Sequence, residues 1–305
     1  MITLFTAPKP FRGHIGIIQR NAIESWKRIH PSVEVILFGD EEGIGEAARD
    51  LSVRYVPEVK RNEHGTPYLS PILDTAQELA SQDCLCYINT DIILLSGFRG
   101  AAERVISLGG RFLMVGQRWD TDITAPVDFS AKDWETTVRR MALEANHQQP
   151  PKWIDYFVFS RGLYYKNTPP FVIGRTSWDN WMVWHARNSG ARVVDASAVV
   201  YAVHQNHDYS HHPGGAAGVW QGEEAQQNYA LLDGGRRHAT IANATHRLTP
   251  KGMRPNYRHW AIQAWRKTLA LRSAVWFGLL NVTRPLRHRF GLRQSHIPKV
   301  QAGRK

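Results

Sequence analysis

The sequence is poor in cysteine, which argues against a disulfide-stabilised secreted protein, and it has no long apolar run, which argues against a bulk membrane protein. Only two of its 305 residues are cysteine, Cys84 and Cys86, too few for a disulfide-stapled secreted scaffold. On a strand the two side chains would share one face, so we predict two small buried thiols and a reducing, cytoplasmic compartment. The opening MITLFTAPKPF lacks a signal-peptide pattern and predicts a first core strand.

Acidic residues are missing from residues 254–305, which contain 12 Lys and Arg. The first 253 residues hold 26 basic and 27 acidic residues, so the net charge of +11 comes from this tail. The nearly neutral body gives no electrostatic reason to expect binding to nucleic acid. The uncharged stretch between Arg272 and Arg284 is far shorter than the ~20 residues that span a bilayer. The basic and aromatic residues of 256–293 suit either a membrane-surface segment or a packing helix, so peripheral attachment to the inner face of the membrane stays open.

Two nucleotide-binding motifs are also absent. Neither GxGxxG nor GxxxxGK[ST] occurs, which removes the main support for a Rossmann dehydrogenase or a P-loop protein. The first half instead alternates apolar strands with helical patterns, beginning ITLFTAP, IGIIQRNAIESWKRI and VEVILFGD. This alternation predicts parallel βαβ units with helices on both faces of a sheet. Later apolar runs, RFLMVGQRW, WIDYFVFSRGLY and ARVVDASAVVYAVHQ, predict further strands.

Ligands of open parallel sheets bind beyond the carboxyl ends of the strands, so the residues after each strand are candidates for a site. The run CLCYINTDIIL is unusual because Asn89 and Asp91 interrupt it two residues apart. Oxygen ligands at this spacing suit a hard divalent cation that also holds phosphate oxygens. The alternative is that Asp91 caps the helix beginning near Gly97, a position for which Ser96 is the better cap.

A parallel α/β half that ends in this D-x-D-like triplet, followed by a mixed half, resembles the GT-A glycosyltransferases over about residues 1–212. The resemblance implies a mostly parallel central sheet flanked by helices, with a mixed acceptor-side portion and a basic C-terminal helical tail. It implies a catalytic domain over residues 1–250, with a nucleotide-binding half at 1–117 and an acceptor-side half at 118–250, and the tail at 251–305.

The same resemblance implies an activity and a cofactor. The expected reaction moves a sugar from a nucleotide-diphosphate sugar to a hydroxyl of a glycan or lipid-linked acceptor. The expected cofactor is Mn²⁺ or Mg²⁺, bound by Asp91 and Asn89, with His204 after the strand AVVYAV as a further ligand and His207 as the runner-up.

The segment TSWDNW is similar to the place where inverting GT-A enzymes carry their base, so Asp179 is the expected catalytic base. Its alternative role is to complement the dipole of the helix that starts there. The expected nucleotide contacts follow strand ends, and all of them also suit turns. They are Thr6, Pro8, Asp40, Asn62, Thr66, Asn89 and Thr90.

Asn89 departs from the family pattern, which has an Asp at this position, and the site loses one negative charge. A metal-independent enzyme therefore stays open, in which Arg118, Arg161 or Arg175 would neutralise the diphosphate. Trp153 and Tyr156 suit either stacking on a sugar or packing in the core. The alternative activities are a nucleotidyltransferase of similar layout and a metal-dependent hydrolase that uses the loop HQNHDYSHH, with His211 and His212. A membrane-attached scaffold is the non-enzymatic alternative.

Overall fold

A computed structural model describes residues 1–208 and 214–257 of the chain. In these residues it contains twelve strands and eight α-helices. The strands are β1 (Thr3–Thr6), β2 (Glu34–Phe38), β3 (Arg54–Val56), β4 (Cys84–Ile88), β5 (Ile92–Leu94), β6 (Phe112–Val115), β7 (Arg118–Thr121), β8 (Tyr156–Ser160), β9 (Arg192–Asp195), β10 (Ala202–Gln205), β11 (His246–Thr249) and β12 (Gly252–Pro255). The helices are α1 (Gly13–Lys27), α2 (Ile44–Asp50), α3 (Leu69–Leu79), α4 (Gly97–Ile106), α5 (Trp134–Ala145), α6 (Trp178–Asn188), α7 (Gly215–Gln221) and α8 (Glu223–Ala230).

A nine-stranded sheet has the order β12-β11-β9-β6-β8-β4-β1-β2-β3. The neighbours β3, β2, β1 and β4 are all parallel, as the alternation of strands and helices predicts. Strand β8 runs antiparallel to both β4 and β6, and β12 is antiparallel to β11. The predicted α/β class, with a mostly parallel central sheet flanked by helices, is therefore confirmed.

Both faces of the large sheet are buried under helices. Successive residues of β1 point to opposite faces, so Leu4 packs in the cluster that contains Trp26 of α1, and Phe5 packs in the cluster that contains Leu73 of α3. Cys84 and Cys86 are free and buried on one face, as predicted. Burial raises the pKa of the Cys84 thiol to about 12, which keeps it protonated and unreactive.

Three further strands form a second sheet, in the order β5-β10-β7, which is not hydrogen-bonded to the large one. Its strands come from apolar runs that the sequence presents as continuous: CLCYINTDIIL divides into β4 and β5, and RFLMVGQRW divides into β6 and β7. A Cβ at Gly116, where the second run divides, would lie 2.1 Å from Oη of Tyr156, so only glycine allows this approach. These two breaks place the polar residues Asn89, Thr90, Asp91 and Gln117 where the chain passes from one sheet to the other.

The first compact unit runs from Met1 to Asn256, and the second from Tyr257 to Lys305. Because β12 pairs with β11, the first unit continues past residue 250, where we expected the catalytic domain to end. The predicted tail structure beyond residue 257, together with His211 and His212, lies outside the described residues. Among the residues described, no helix combines the length and apolar character that a membrane crossing requires.

Candidate active site

A cavity of about 1060 Å³ opens beyond the carboxyl ends of β1 and β4. Its volume falls in the range of pockets that enclose a small-molecule ligand. Six parts of the chain line it: the loop after β1, α1, Glu41 after β2, the residues after β4, the loop at 64–67, and the segment at 173–175 together with α7 and α8. This is the edge of the sheet at which the sequence predicts ligand binding.

Asp91, His204 and His207 meet beside this cavity, with ligand atoms that all lie within 4.8 Å of one another. Oδ2 of Asp91 is 3.2 Å from Nε2 of His207 and 3.8 Å from Nε2 of His204. Oδ1 of Asp91 is buried and has no hydrogen-bond partner among the described residues. One carboxylate with an unsatisfied buried oxygen and two imidazoles form a donor set that suits a transition-metal dication such as Mn²⁺ better than Mg²⁺, which prefers oxygen ligands alone.

The charge of Asp91 also suits a cation. Burial by itself raises the pKa of this carboxyl, but His204, His207 and Lys9 outweigh burial and hold the pKa well below its usual range. Asp91 is therefore ionised at any physiological pH. A carboxylate that stays charged needs no proton release before it binds a metal.

Strand register explains why Asp91 and His204, far apart in sequence, come together. Asp91 stands immediately before β5, and β5 pairs antiparallel with β10 so that Ile92 lies opposite His204. Gln205 then donates its backbone N–H to the carbonyl oxygen of Asp91 at 3.0 Å. The side-chain amide of Gln205 donates to the same oxygen at 3.2 Å and to the carbonyl oxygen of Ile18 at 2.8 Å. The Asp91 backbone is thus fixed to β10 and to α1.

Asp120 lies behind His204, because β7 pairs with β10 in a register that places these two residues side by side. Oδ1 of Asp120 is 3.4 Å from Nδ1 of His204, while Nε2 of His204 faces Asp91. Arg118 donates to Asp120 Oδ1 at 2.9 Å, and Gln149 donates to Oδ2 at 2.6 Å. A carboxylate behind one ring nitrogen, with the other nitrogen toward the ligand, is the usual environment of a metal-binding histidine.

Asn89 lines the cavity, but its side-chain N–H group donates a hydrogen bond to the neighbouring residue Asp155. Its Nδ2 donates to Oδ1 of Asp155 at 2.7 Å, and its backbone N–H donates to the Asp155 carbonyl oxygen at 2.9 Å. Arg118 Nη1 donates to both carboxylate oxygens of Asp155 at 2.9 Å. Asn89 is therefore held in place by Asp155, and its proposed contact with a metal or nucleotide would use the amide oxygen.

Asp179 occupies the first turn of α6, after Ser177, whose φ of 87° is unusual for a residue other than glycine. Burial raises the pKa of the Asp179 carboxyl to about 7; the backbone N–H of Asn180 opposes this effect and the charge of Asp155 adds to it. Asp179 does not line the large cavity; it lies in the electrostatic range of Asp155, which holds Asn89. A carboxyl that titrates near neutral pH suits acid–base chemistry.

Five of the seven predicted nucleotide contacts lie together in the wall of the cavity: Asn89, described above, and Thr6, Pro8, Thr66 and Thr90. The hydroxyls of Thr6 and Thr90 are 3.2 Å apart, because β1 and β4 are neighbours in the sheet. They present a pair of hydroxyls at the end of two parallel strands, where a ligand phosphate or ribose could accept or donate hydrogen bonds.

The two other candidates, Asp40 and Asn62, lie elsewhere. Asp40 is exposed, forms an ion pair with Arg61 and lines a separate cavity of about 510 Å³, while Glu41 lines the large cavity. Asn62 shapes a turn: its Oδ1 accepts the backbone N–H groups of His64 and Thr66, at 3.0 and 2.8 Å, and its Nδ2 donates to Glu224. The structure thus places Asn62 behind the wall of the cavity.

The three arginines considered for charge neutralisation are all engaged with the protein. Arg118 is buried between two aspartates, as described above. Arg161 donates to the backbone carbonyl oxygens of Gln77, Ala80 and Gln82, which ties α3 to the end of β8. Arg175 lines the cavity and forms a buried ion pair with Glu224. Of the three, only Arg175 reaches the cavity.

The two aromatic candidates differ in exposure. Tyr156 is fully buried and packs edge-on against Phe98, so it belongs to the core. Trp153 is half-buried; its ring centroid lies 5.2 Å from that of Trp220, and the Arg118 guanidinium lies over its face. Trp153 is therefore the only one of the two that is partly exposed to solvent.

Lys9 is a cavity residue that sequence reasoning missed. Its Nζ is 3.2 Å from Nε2 of His207. Burial lowers the pKa of Lys9, and the charges of Asp91, Asp208 and Asp155 partly oppose that change. The only signal for it was its position in TAPKPF, the loop after the first strand.

A scan against protein-family models and a search of curated proteins both give no match. Similar solved structures include glucosyl-3-phosphoglycerate synthase from Mycobacterium tuberculosis in complex with Mg²⁺ and uridine diphosphate, with a TM-score of 0.45, 14% identity, and coverage of 76% of this chain and 78% of that one. S. aureus TarS 1-349 in complex with UDP-GlcNAc has a TM-score of 0.45 and 11% identity, and covers 69% of this chain and 60% of its own. These are likenesses of fold alone, and a functional conclusion depends on the site itself.

Proposed function

We propose that this protein is a glycosyltransferase that uses a nucleotide-diphosphate sugar and Mn²⁺ or Mg²⁺, and that it inverts the configuration of the transferred sugar. One observation carries the proposal: Asp91, His204 and His207 converge at the edge of a nucleotide-sized cavity, at the carboxyl ends of parallel strands. The similar solved structures hold uridine nucleotides, which is compatible with it.

The residues of the chain take distinct roles in this proposal. Asp91, His204 and His207 hold the cation, with Asn89 as a further oxygen ligand. Thr6, Pro8, Thr66 and Thr90 contact the nucleotide. A cation held by these residues would offset the negative charge of the leaving diphosphate. Asp179, whose pKa is raised to about 7, accepts the proton of the acceptor hydroxyl.

The direct test is a thermal-shift screen with UDP, GDP and dTDP, each with and without Mn²⁺. We expect one diphosphate to raise the melting temperature, and to do so only when the metal is present, because a ligand that binds only the folded state stabilises it. The Asp91→Asn variant should lose this stabilisation, and the Asp128→Asn variant, altered in an exposed turn, should keep it. Equal shifts without metal would contradict the metal role.

A nucleotidyltransferase is the second candidate, and Lys9 is the observation that favours it. A lysine in the loop after the first strand, facing a metal cluster, suits contact with a nucleoside triphosphate. The two activities release different products. Formation of pyrophosphate from UTP, GTP or dTTP would support the second candidate, whereas release of a nucleoside diphosphate from a nucleotide sugar would support the first.

We further propose a cytoplasmic location with peripheral attachment to the membrane through residues 256–293, and a glycan or lipid-linked acceptor. The support is the charge of the tail, which has no acidic residue to offset its Lys and Arg. An acceptor held at a membrane surface would be reached more readily by an enzyme that resides there.

A further inference from the structure

Lys9 is a fixed feature of the cavity wall, and its ammonium group is a cation that the protein itself supplies beside the metal cluster. The backbone of Lys9 is held by Gln19: its N–H donates to Oε1 at 2.7 Å, and its carbonyl oxygen accepts from Nε2 at 2.9 Å. The base of the side chain is therefore anchored to α1. The flexible stem beyond it allows the ammonium to take more than one position.

The contact between Lys9 and His207 uses the atom that a metal would need. Nδ1 of His207 lies 2.6 Å from the carbonyl oxygen of Asp208, which can only accept, so Nδ1 carries a hydrogen. Nε2 of His207 faces both Nζ of Lys9 and Oδ2 of Asp91, each at 3.2 Å, and a metal bound to this nitrogen would displace Lys9 from it. At this distance Nε2 and Oδ2 can share one cation. Ammonium and metal therefore compete for this nitrogen.

Because residue 89 is Asn and not Asp, it adds no negative charge to attract a divalent ion, and competition by Lys9 is therefore more effective. Asp91 is the only carboxylate in the three-residue cluster of the described chain, so the cluster carries one negative charge. The ammonium of Lys9 already balances that charge, and it repels a divalent ion at close range. A diphosphate changes the balance, because it offers several oxygens that bind both the ammonium and the metal.

We propose that Lys9 couples metal binding to nucleotide binding at this site. Without nucleotide, its ammonium contacts His207 and weakens the binding of a divalent ion. When a nucleoside diphosphate enters, the ammonium moves to the phosphate oxygens and leaves Nε2 of His207 to the metal. This inference rests on the proposed function, since it requires a diphosphate in the cavity, and it means that each ligand strengthens the binding of the other.

The test compares the wild-type protein with Lys9→Met and measures binding rather than turnover. Binding of Mn²⁺ alone is followed by the loss of the electron paramagnetic resonance signal of free Mn²⁺. Binding of UDP at saturating Mn²⁺ is followed by calorimetry, with GDP or dTDP in its place if either stabilises the wild type more. Lys132→Met, which removes the same charge from an exposed site away from the cavity, is the matched control.

The proposal predicts opposite changes in Lys9→Met. Affinity for Mn²⁺ alone should rise about tenfold, because the competing charge is gone, and affinity for the diphosphate should fall about tenfold, because a charge-assisted contact is lost. Lys9→Gln, which keeps a polar side chain, should change both affinities in the same directions if Lys9→Met folds poorly. Unchanged or weaker binding of Mn²⁺ alone, or unchanged binding of the diphosphate, would overturn the inference.

The experiment separates this inference from the proposed function. If the wild type binds a diphosphate with Mn²⁺ but Lys9→Met behaves like Lys132→Met, the coupling role fails and the proposed function stands. If no diphosphate binds the wild type under any condition, the proposed function fails, and the coupling role fails with it even where Mn²⁺ alone binds Lys9→Met more tightly.

Discussion

At the scale of single residues, Asp179 has the most distinctive chemistry in the candidate site. Burial raises its pKa to about 7, so the carboxyl changes charge in the neutral pH range. A base must be ionised, so we expect release of diphosphate from the nucleotide sugar to rise with pH through about 7. Asp179→Asn should reduce that rate by about a hundredfold or more. Binding of the nucleotide should stay within twofold, because Asp179 does not line the cavity.

The raised pKa of Asp179 also predicts that the free energy of unfolding depends on pH, which can be measured without substrate. The pKa of Asp179 is higher in the folded state, about 7, than the ordinary 3.8, so between these pH values the folded state binds a proton that the unfolded state has lost. Stability therefore falls as pH rises through this window. Asp179→Asn removes the effect and should raise the free energy of unfolding by on the order of 2–4 kcal/mol at pH 8, and by almost nothing at pH 4.

Urea unfolding at the two pH values checks this expectation. The control is Asp128→Asn, because hydrogen bonds from Ser130 lower the pKa of this exposed carboxyl, and its removal should give no stabilisation at pH 8. An Asp179→Asn protein that is no more stable than wild type at pH 8 would show that the partly buried carboxyl is not destabilised in its charged form, and would weaken its assignment as the base.

Asp120 predicts a positioning effect on the metal. It touches no ligand in the proposed mechanism. Its Oδ1 lies 3.4 Å from Nδ1 of His204, which is buried and makes no hydrogen bond among the described residues, so a small shift on metal binding would let Asp120 hold Nε2 toward Asp91. Asp120→Asn should weaken binding of Mn²⁺ about 10- to 100-fold in the presence of the diphosphate. The pH at which Mn²⁺ binding is half-maximal should also shift, which loss of packing alone would not cause. Asp128→Asn should leave both quantities unchanged.

How far the site was predictable differs from residue to residue. Asp91, His204 and Thr90 follow apolar runs directly, and strand ends in a parallel sheet meet at one edge, so their meeting could be expected. Asp120 and Asp155 could not be found in this way, and Lys9, although it lies in the loop after β1, carries no pattern that distinguishes it from a solvent-exposed lysine. Asp120 acts only through its register with β10, and register between distant segments leaves no local pattern in the sequence.

At the scale of secondary-structure elements, α8 is attached to the cavity wall by a buried ion pair. The side chains of Arg175 and Glu224 are only 10% and 9% exposed, and Arg175 contacts Oε2 of Glu224. The other carboxylate oxygen of Glu224, Oε1, accepts a hydrogen bond from the side-chain amide of Asn62 at 2.7 Å. Burial raises the pKa of Glu224, but the bonds from Thr66, Asn62 and Arg175 outweigh burial and lower it. The carboxylate is thus charged and fully paired in the native state.

Removal of one partner would leave the other charge buried, which costs about 3–5 kcal/mol. We therefore expect Arg175→Met to increase amide hydrogen exchange in residues 215–230 strongly. The double variant Arg175→Met/Glu224→Leu should restore much of the protection, since no unpaired charge remains. Arg140→Met, which breaks an exposed pair with Glu144, is the control and should change little. Equal exchange in the single and double variants would contradict this account.

The sequence predicts some helices and strands better than others. Helices α1, α3 and α6 have amphipathic periodicity, which predicts both their existence and their faces. In the run from Cys84 to Leu94, Asn89 to Asp91 mark where β4 ends, but nothing in the sequence shows that the apolar residues after them join a different sheet. Tertiary pairing of β5 with β10 decides the break, and that pairing is what creates the candidate metal cluster.

At the scale of the whole molecule, the formal net charge of the chain comes entirely from residues beyond the first compact unit. Asn256 is tied to the first compact unit: its backbone N–H donates to Thr245 at 2.9 Å, and its Nδ2 donates to Ala244 at 2.8 Å. Ending the chain after Tyr257 removes 11 Lys and Arg and no Asp or Glu, which lowers the formal net charge from +11 to zero. The truncation therefore changes charge without removing a contact described in the first unit.

We expect the chain of residues 1–257 to keep its urea midpoint and its metal-dependent stabilisation by a diphosphate, and to lose binding to anionic membranes. Full-length protein should sediment with phosphatidylglycerol vesicles at low salt and much less at 1 M salt, where the Debye length falls to about 3 Å. Neutral phosphatidylcholine vesicles are the control for hydrophobic insertion. Because each basic residue near an anionic surface contributes about 1 kcal/mol, the loss of 11 of them should abolish sedimentation. Equal sedimentation of the two chains would remove the tail as a membrane anchor and leave the catalytic proposal untouched.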